Sequence, residues 1–225
     1  ADLERVVPSV LKGGFYHAGQ VCVSVQRVFI HSSVAREFAE RLAEGANTLN
    51  VGDPTLSETE VGPLIVPAEV ARVHEWVTQA ADGGAEVMSG GEALGETAYK
   101  PTVLFNPPAD ANVSKLEIFG PVVCIYPYDD MDAAIDIANS LPFSFQAAVF
   151  TESIDTAMRV SSRLDASAVM VNDRVFEGLA PKTAELGTFG HGYTYSGHPV
   201  PAAVALETLK IYEEMDLIGR VKMRS

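Results

Sequence analysis

Between Val122 and Val171 the apolar residues switch repeatedly between a two-residue and a helical period, and no other feature narrows the possible folds as much. Val122 to Tyr128 alternates as a strand, and about Met131 to Asn139 carries a helical stripe with Ile135 inward. Gln146 to Phe150 reads as a strand, Ser153 to Leu164 as a helix, and Ser167 to Val171 as a strand again. Strands separated by helices pair in parallel, and the helices then cover both faces of the sheet. The expected fold is therefore α/β: an open, mostly parallel twisted sheet with helices on both faces.

The earlier residues supply further layers. Leu3, Val6, Val7, Val10 and Leu11 recur at helical spacing from Asp2 to about Gly14, and Val23 to Ile30 is β-branched enough for a strand. Val34, Phe38, Leu42 and Ala46 make a second helical stripe, and Pro67 suits the first turn of a helix that buries Val70, Val73 and Val77 and ends at Gly83-Gly84. Trp76 reads as a packing residue. Ala85 to Met88 and Thr102 to Phe105 read as short strands around the loop of Gly90, Gly91 and Gly95. Neither glycine pair opens a helix after a strand, so both are turns rather than a dinucleotide fingerprint.

Composition excludes several functions. With 225 residues, 47% hydrophobic and 20% charged, the chain can bury a sizeable core. A net charge of −14 without a Lys or Arg run argues against a nucleic-acid partner. No apolar run is long enough to span a membrane and the N-terminus does not read as a signal peptide, so the expected location is cytoplasmic, with no membrane partner. Cys22 and Cys124 are too few for a disulfide framework, and Cys124, mid-strand, reads as inert core. His31, His74, His191 and His198 are scattered, and no metal site is expected.

Cys22 is the candidate for chemistry. It sits in Phe15-Tyr16-His17-Ala18-Gly19-Gln20-Val21-Cys22, a small-residue turn between a helical pattern and a strand, where Ala18 and Gly19 leave the backbone open to a substrate. A thiol attacks as thiolate, so a site must lower its pKa or supply a base; a buried structural thiol is the competing reading. His17 is one conceivable base, in a Cys-His arrangement.

Gly19-Gln20-Val21-Cys22 with Arg27 resembles the cysteine signature G-Q-x-C-x(4)-R of the aldehyde dehydrogenase superfamily. Gly52-Asp53-Pro54, Val61-Gly62-Pro63-Leu64, Pro101-Thr102-Val103-Leu104, Glu117-Ile118-Phe119-Gly120-Pro121-Val122 and Gln146-Ala147-Ala148-Val149-Phe150-Thr151 resemble further landmarks in family order, covering about residues 1–173. The resemblance implies that Cys22 adds to an aldehyde carbonyl, that the thiohemiacetal gives up hydride to NAD or NADP, and that water hydrolyses the thioester. It implies the Cys22 N–H as an oxyanion donor, Glu117 on the nicotinamide ribose, and Phe119 beside the ring. The family's general-base glutamate belongs to an E-L-G-G segment that would precede Ala1, with the cofactor domain earlier still. The chain opens without Met directly into helical periodicity, so a fragment or fusion is expected, inactive alone and not binding the nucleotide by itself. General-base help is worth about 10²- to 10⁴-fold.

After Asp173 the resemblance changes. Leu186 to Val200, LGTFGHGYTYSGHPV, is similar to a signature of class III pyridoxal-phosphate aminotransferases, and about residues 174–225 fit that family. Thr194 matches a threonine that reaches the cofactor phosphate of a neighbouring subunit. The Schiff-base lysine would lie well upstream, and neither Lys182 nor Lys210 replaces it, so pyridoxal phosphate is not expected to bind. The expected organisation is an aldehyde dehydrogenase catalytic-like domain over 1–173 and an aminotransferase-like segment over 174–225. An aldehyde is the expected small-molecule partner and a homo-oligomer the expected assembly. The alternatives are a non-catalytic assembly domain and pyridoxal-phosphate binding through the tail.

Overall fold

The structure, a computed structural model, describes residues 2–171, all within the compact unit Ala1–Phe176. The chain runs α1 (Leu3–Phe15), a 3-10 turn (Tyr16–Gly19), β1 (Arg27–His31), α2 (Ser32–Thr48), α3 (Pro67–Asp82), β2 (Glu86–Ser89), β3 (Ala93–Leu94), β4 (Ala98–Tyr99) and β5 (Thr102–Phe105). It continues as α4 (Asn112–Lys115), β6 (Val122–Tyr128), α5 (Met131–Ala138), β7 (Gln146–Val149), α6 (Ile154–Ser161) and β8 (Ala168–Val171).

Strands β1, β6, β5 and β2 form one sheet in that order. Cys124 of β6 lies opposite Arg27 of β1, and Val122 opposite Thr102 of β5, both pairings parallel; β2 closes the edge antiparallel to β5. Val122, Val123, Cys124 and Ile125 are consecutive and all buried. Side chains alternate between faces, so this run means that both faces of β6 are covered. The fold is α/β with a mixed, mostly parallel open sheet, as the alternation of periods predicts.

Helix α2 lies against β1, β2, β5 and β6, burying Phe38, Leu42 and Ala46 of the predicted stripe while Val34 stays 36% exposed. Burying a Phe or Leu of this kind contributes about 1.5–3 kcal/mol. Helix α1 crosses close to β6: a Cβ on Gly14 would meet Val123 Cγ2 at 2.4 Å. Pro67 occupies the first turn of α3, whose Val70, Val73 and Val77 are buried. Both glycine pairs are turns, Gly84, Gly90 and Gly91 having φ of 108°, 70° and 81°.

Three details depart from the sequence expectation. The strand expected from Val23 starts at Arg27, because Val25 N–H donates to Gly13 O (3.0 Å) and Ser24 Oγ to Gly14 O (3.3 Å). Those residues satisfy the C-terminal carbonyls of α1 instead of joining the sheet. The glycine loop holds an unanticipated two-stranded ribbon, β3 with β4. Strands β7 and β8 pair in parallel with each other, separately from the four-stranded sheet. Among the described residues, no helix is long and apolar enough to cross a membrane.

Candidate active site

Helix α1 ends at Phe15, and the next residues reverse the chain in the left-handed region: His17, Ala18 and Gly19 have φ of 51°, 55° and 70°. Left-handed backbone costs a non-glycine residue about 1–2 kcal/mol, and such strain persists only where the surroundings enforce it. Gly19 is required twice over, since a Cβ there would lie 2.1 Å from Gly120 O. The turn that leads to Cys22 is thus pressed, backbone to backbone, against the loop that carries Glu117 and Phe119.

Cys22 is exposed at the tip of this turn, and Cys124 is buried on β6. Burial pushes the Cys124 thiol up to about 12, so it is a protonated core residue. No carbonyl or side chain among the described residues takes the Cys22 N–H, which leaves it able to donate to an oxyanion formed on attack. The His17 ring packs on Tyr16, centroids 5.1 Å apart, and the His17 carbonyl accepts the Gln20 N–H at 3.1 Å. Arg27, the last residue of the cysteine signature, turns away from the thiol. Its guanidinium donates to Ala138 O at 3.0 Å and Ile137 O at 3.4 Å, at the C-terminus of α5, and burial lowers its pKa from the ordinary guanidinium value. Arg27 anchors a helix end, where a cation also complements the dipole.

Glu117 and Phe119 are exposed on either side of buried Ile118, and Phe119 has a φ of 50°. A cleft of about 20 Å³, room for about one water, is lined by Gly19, Val21 and Ser24 from the cysteine turn and by Glu117, Phe119 and Gly120 from the opposite loop. The structure therefore brings Glu117 and Phe119 to the flanks of the turn that leads to Cys22, while Cys22 itself is not among the residues lining the cleft. Glu117 offers an exposed carboxylate that can accept hydrogen bonds, and Phe119 an exposed aromatic ring two residues on.

Sequence reasoning missed what holds these loops. Gln20 Nε2 donates to Pro63 O at 3.1 Å while its Oε1 accepts from Ile65 N at 2.9 Å, tying the turn to the loop before α3. Arg72 of α3 stacks over Trp76 at 4.5 Å and donates to Ile118 O at 2.6 Å. Gln20 had a signal, being part of the cysteine signature; Arg72 had none, because a charged residue on a helix face is ordinarily solvated. Among the described residues, no group of three His, Cys, Asp or Glu side chains could hold a metal ion. Thr194, Lys182 and Lys210 lie outside the described residues.

Similarity to known proteins agrees with this geometry. The aldehyde dehydrogenase family pattern matches residues 1–198, running past Asp173. The 3-sulfolactaldehyde dehydrogenase of Priestia aryabhattai is 38% identical over 173 residues, 77% of this chain and 36% of that enzyme. Aldehyde dehydrogenase from Bacillus cereus, solved as its NAD+ complex, is 35% identical with a TM-score of 0.72, covering 76% of this chain and 35% of that one. Glyceraldehyde-3-phosphate dehydrogenase GapN from Methanocaldococcus jannaschii, complexed with NADP, is 34% identical with a TM-score of 0.72, covering 76% and 37%. The chain spans roughly a third of the length of these relatives. A chain with this fold, this cysteine turn and a family match over residues 1–198 belongs to the aldehyde dehydrogenase family.

Proposed function

We propose that this chain carries the nucleophile half of an NAD- or NADP-linked aldehyde oxidation, with Cys22 as the nucleophile and Glu117 and Phe119 as contacts for the nicotinamide end of the nucleotide. The observation that supports the reading is the contact of the turn leading to Cys22 with the loop of Glu117 and Phe119, across Gly19 and Gly120. Cys22 sulfur bonds to the aldehyde carbon, and the carbonyl oxygen becomes an alkoxide that the Cys22 N–H stabilises. Glu117 accepts hydrogen bonds from the ribose, and Phe119 restricts where the ring can lie. The bound nucleotide supplies the hydride acceptor. Hydrolysis of the resulting thioester needs an activated water.

The chain should form a thioester bond at Cys22. The test is an activated acetyl ester mixed with the chain at neutral pH, followed by peptide mass mapping. Cys22 should take up an acetyl group, with release of the ester's alcohol, and Cys22→Ser should abolish that label. Acylation confined to lysines, with Cys22 free, would sink the reading. The homo-oligomeric state, the cytoplasmic location and the organisation into 1–173 and 174–225 are parts of the same proposal.

A further inference from the structure

Gln26 lies just before β1 and is fixed to the sheet by its own backbone, since Cys124 N–H donates to Gln26 O at 2.8 Å. Its side chain reaches the loop before β6. The amide oxygen accepts the Ile118 N–H at 2.9 Å, and the amide nitrogen donates to Leu116 O at 2.7 Å and Val113 O at 3.2 Å. One N–H and two carbonyls admit one orientation of the amide, so the side chain is fully matched and fixed. Ile118 is 1% exposed, and Arg72 holds its carbonyl from the other side at 2.6 Å. Residues on either side of an anchored residue have their positions set by it: Glu117 precedes Ile118, and Phe119 follows it in left-handed backbone that only such constraint sustains. Gln26 itself lines the cleft between the two loops.

We propose that Gln26 is a positioning residue for the reaction: it locks the loop around Ile118 and so fixes Glu117 and Phe119 against the Cys22 turn. That Glu117 and Phe119 serve a nucleotide rests on the proposed function; that Gln26 fixes their loop does not. Gln26 and Arg72 grip the two sides of one residue from two different segments, the residue before β1 and α3, and the loop has no regular structure of its own between α4 and β6.

Amide hydrogen exchange on the full chain tests this. In Gln26→Leu, which keeps the bulk and removes all three hydrogen bonds, amides of 116–120 should exchange at least about tenfold faster, while those of β5 and β6 keep wild-type rates. Gln26→Glu gives a readout that packing alone would not. As the acid it presents one O–H donor and one acceptor in the shape of the amide, and holds the loop; as the carboxylate it sets negative charge against the Leu116 and Val113 carbonyls, and releases it. Relative to wild type at each pH, loop protection in Gln26→Glu should therefore fall as pH rises through that carboxyl's titration. The charged and titratable side chains on the elements that meet here, Lys115 at the end of α4, Glu117 on the loop, Arg27 on β1, Glu69 and Arg72 on α3, and Cys124 and Tyr126 on β6, are the same in both proteins, so the comparison isolates position 26. Wild-type exchange at 116–120 in Gln26→Leu would overturn the proposal, as would equal loosening of β5 and β6 or a Gln26→Glu profile without a pH step. Exchange reports the loop whether or not the chain acylates, so failure of the latch and failure of the proposed function are told apart.

Discussion

Cys22 and Cys124 are the same chemical group in opposite surroundings, and the difference is measurable. Cys22 is exposed at a turn, open to a reagent; Cys124 sits between covered sheet faces, where burial disfavours thiolate and blocks approach. Limited iodoacetamide near neutral pH should label Cys22 at least about tenfold faster than Cys124, with peptide mass mapping as the check; preferential labelling of Cys124 would contradict the exposure. Gly19 carries a second prediction. Its φ of 70° and the 2.1 Å approach of Gly120 O leave no room for a methyl group. Gly19→Ala should cost about 2–4 kcal/mol, adding left-handed strain to overpacking, with urea unfolding as the measurement and an unchanged midpoint as the contrary result. The thiol, Glu117 and Phe119 were legible because they sit in patterned motifs. Gln26 and Arg72 were not, because each acts on backbone atoms remote in sequence, and no side-chain pattern records where those carbonyls and N–H groups end up.

At the scale of elements, periodicity found helices well because each buries a stripe: Phe38, Leu42 and Ala46 on α2, and Val70, Val73 and Val77 on α3. It placed β1 too early because Ser24 and Val25 are β-like by type yet spend their hydrogen bonds on the end of α1. It gave no pairing order, so neither the antiparallel edge of β2 nor the separate pair of β7 and β8 could be foreseen; register is a long-range property. Arg27 shows the same limit, a signature residue whose partners are the last carbonyls of α5. Arg27→Met keeps the stem and removes those bonds, which should cost about 1–2 kcal/mol. Amide exchange over Met131–Asn139 should accelerate while Cys22 alkylation stays at the wild-type rate; faster alkylation of Cys22 would instead tie Arg27 to the thiol.

For the whole molecule, burial of neutral acids sets the alkaline limit. Cys124 is held protonated up to about 12 against an ordinary 9.0, and burial raises Tyr99 and Tyr126 above 10.0. Native pKa values above the unfolded ones mean that the unfolded chain binds fewer protons from about pH 9 upward, so stability falls with rising pH between about 9 and 12. Below that window these groups are protonated in both states and add no slope. Denaturant unfolding should lose about 1–3 kcal/mol between about pH 8 and pH 10.5, and equal stability at the two would refute the burial argument. Exposed Phe143 and Phe145 line one open groove with Leu141 and Pro142, apolar surface grouped in a way that favours association. Light scattering at high concentration should therefore find a species larger than the monomer, and a strict monomer would count against self-association. The central claim, that Cys22 is the nucleophile of an aldehyde oxidation, is tested most directly by putting this chain in place of the matched part of a solved relative, such as the Bacillus cereus enzyme. Reduction of NAD or NADP is then followed with an aldehyde panel, for wild type and Cys22→Ser. The account predicts aldehyde-dependent reduction that Cys22→Ser lowers by at least about 10³-fold; reduction that survives the loss of the Cys22 thiol would contradict it.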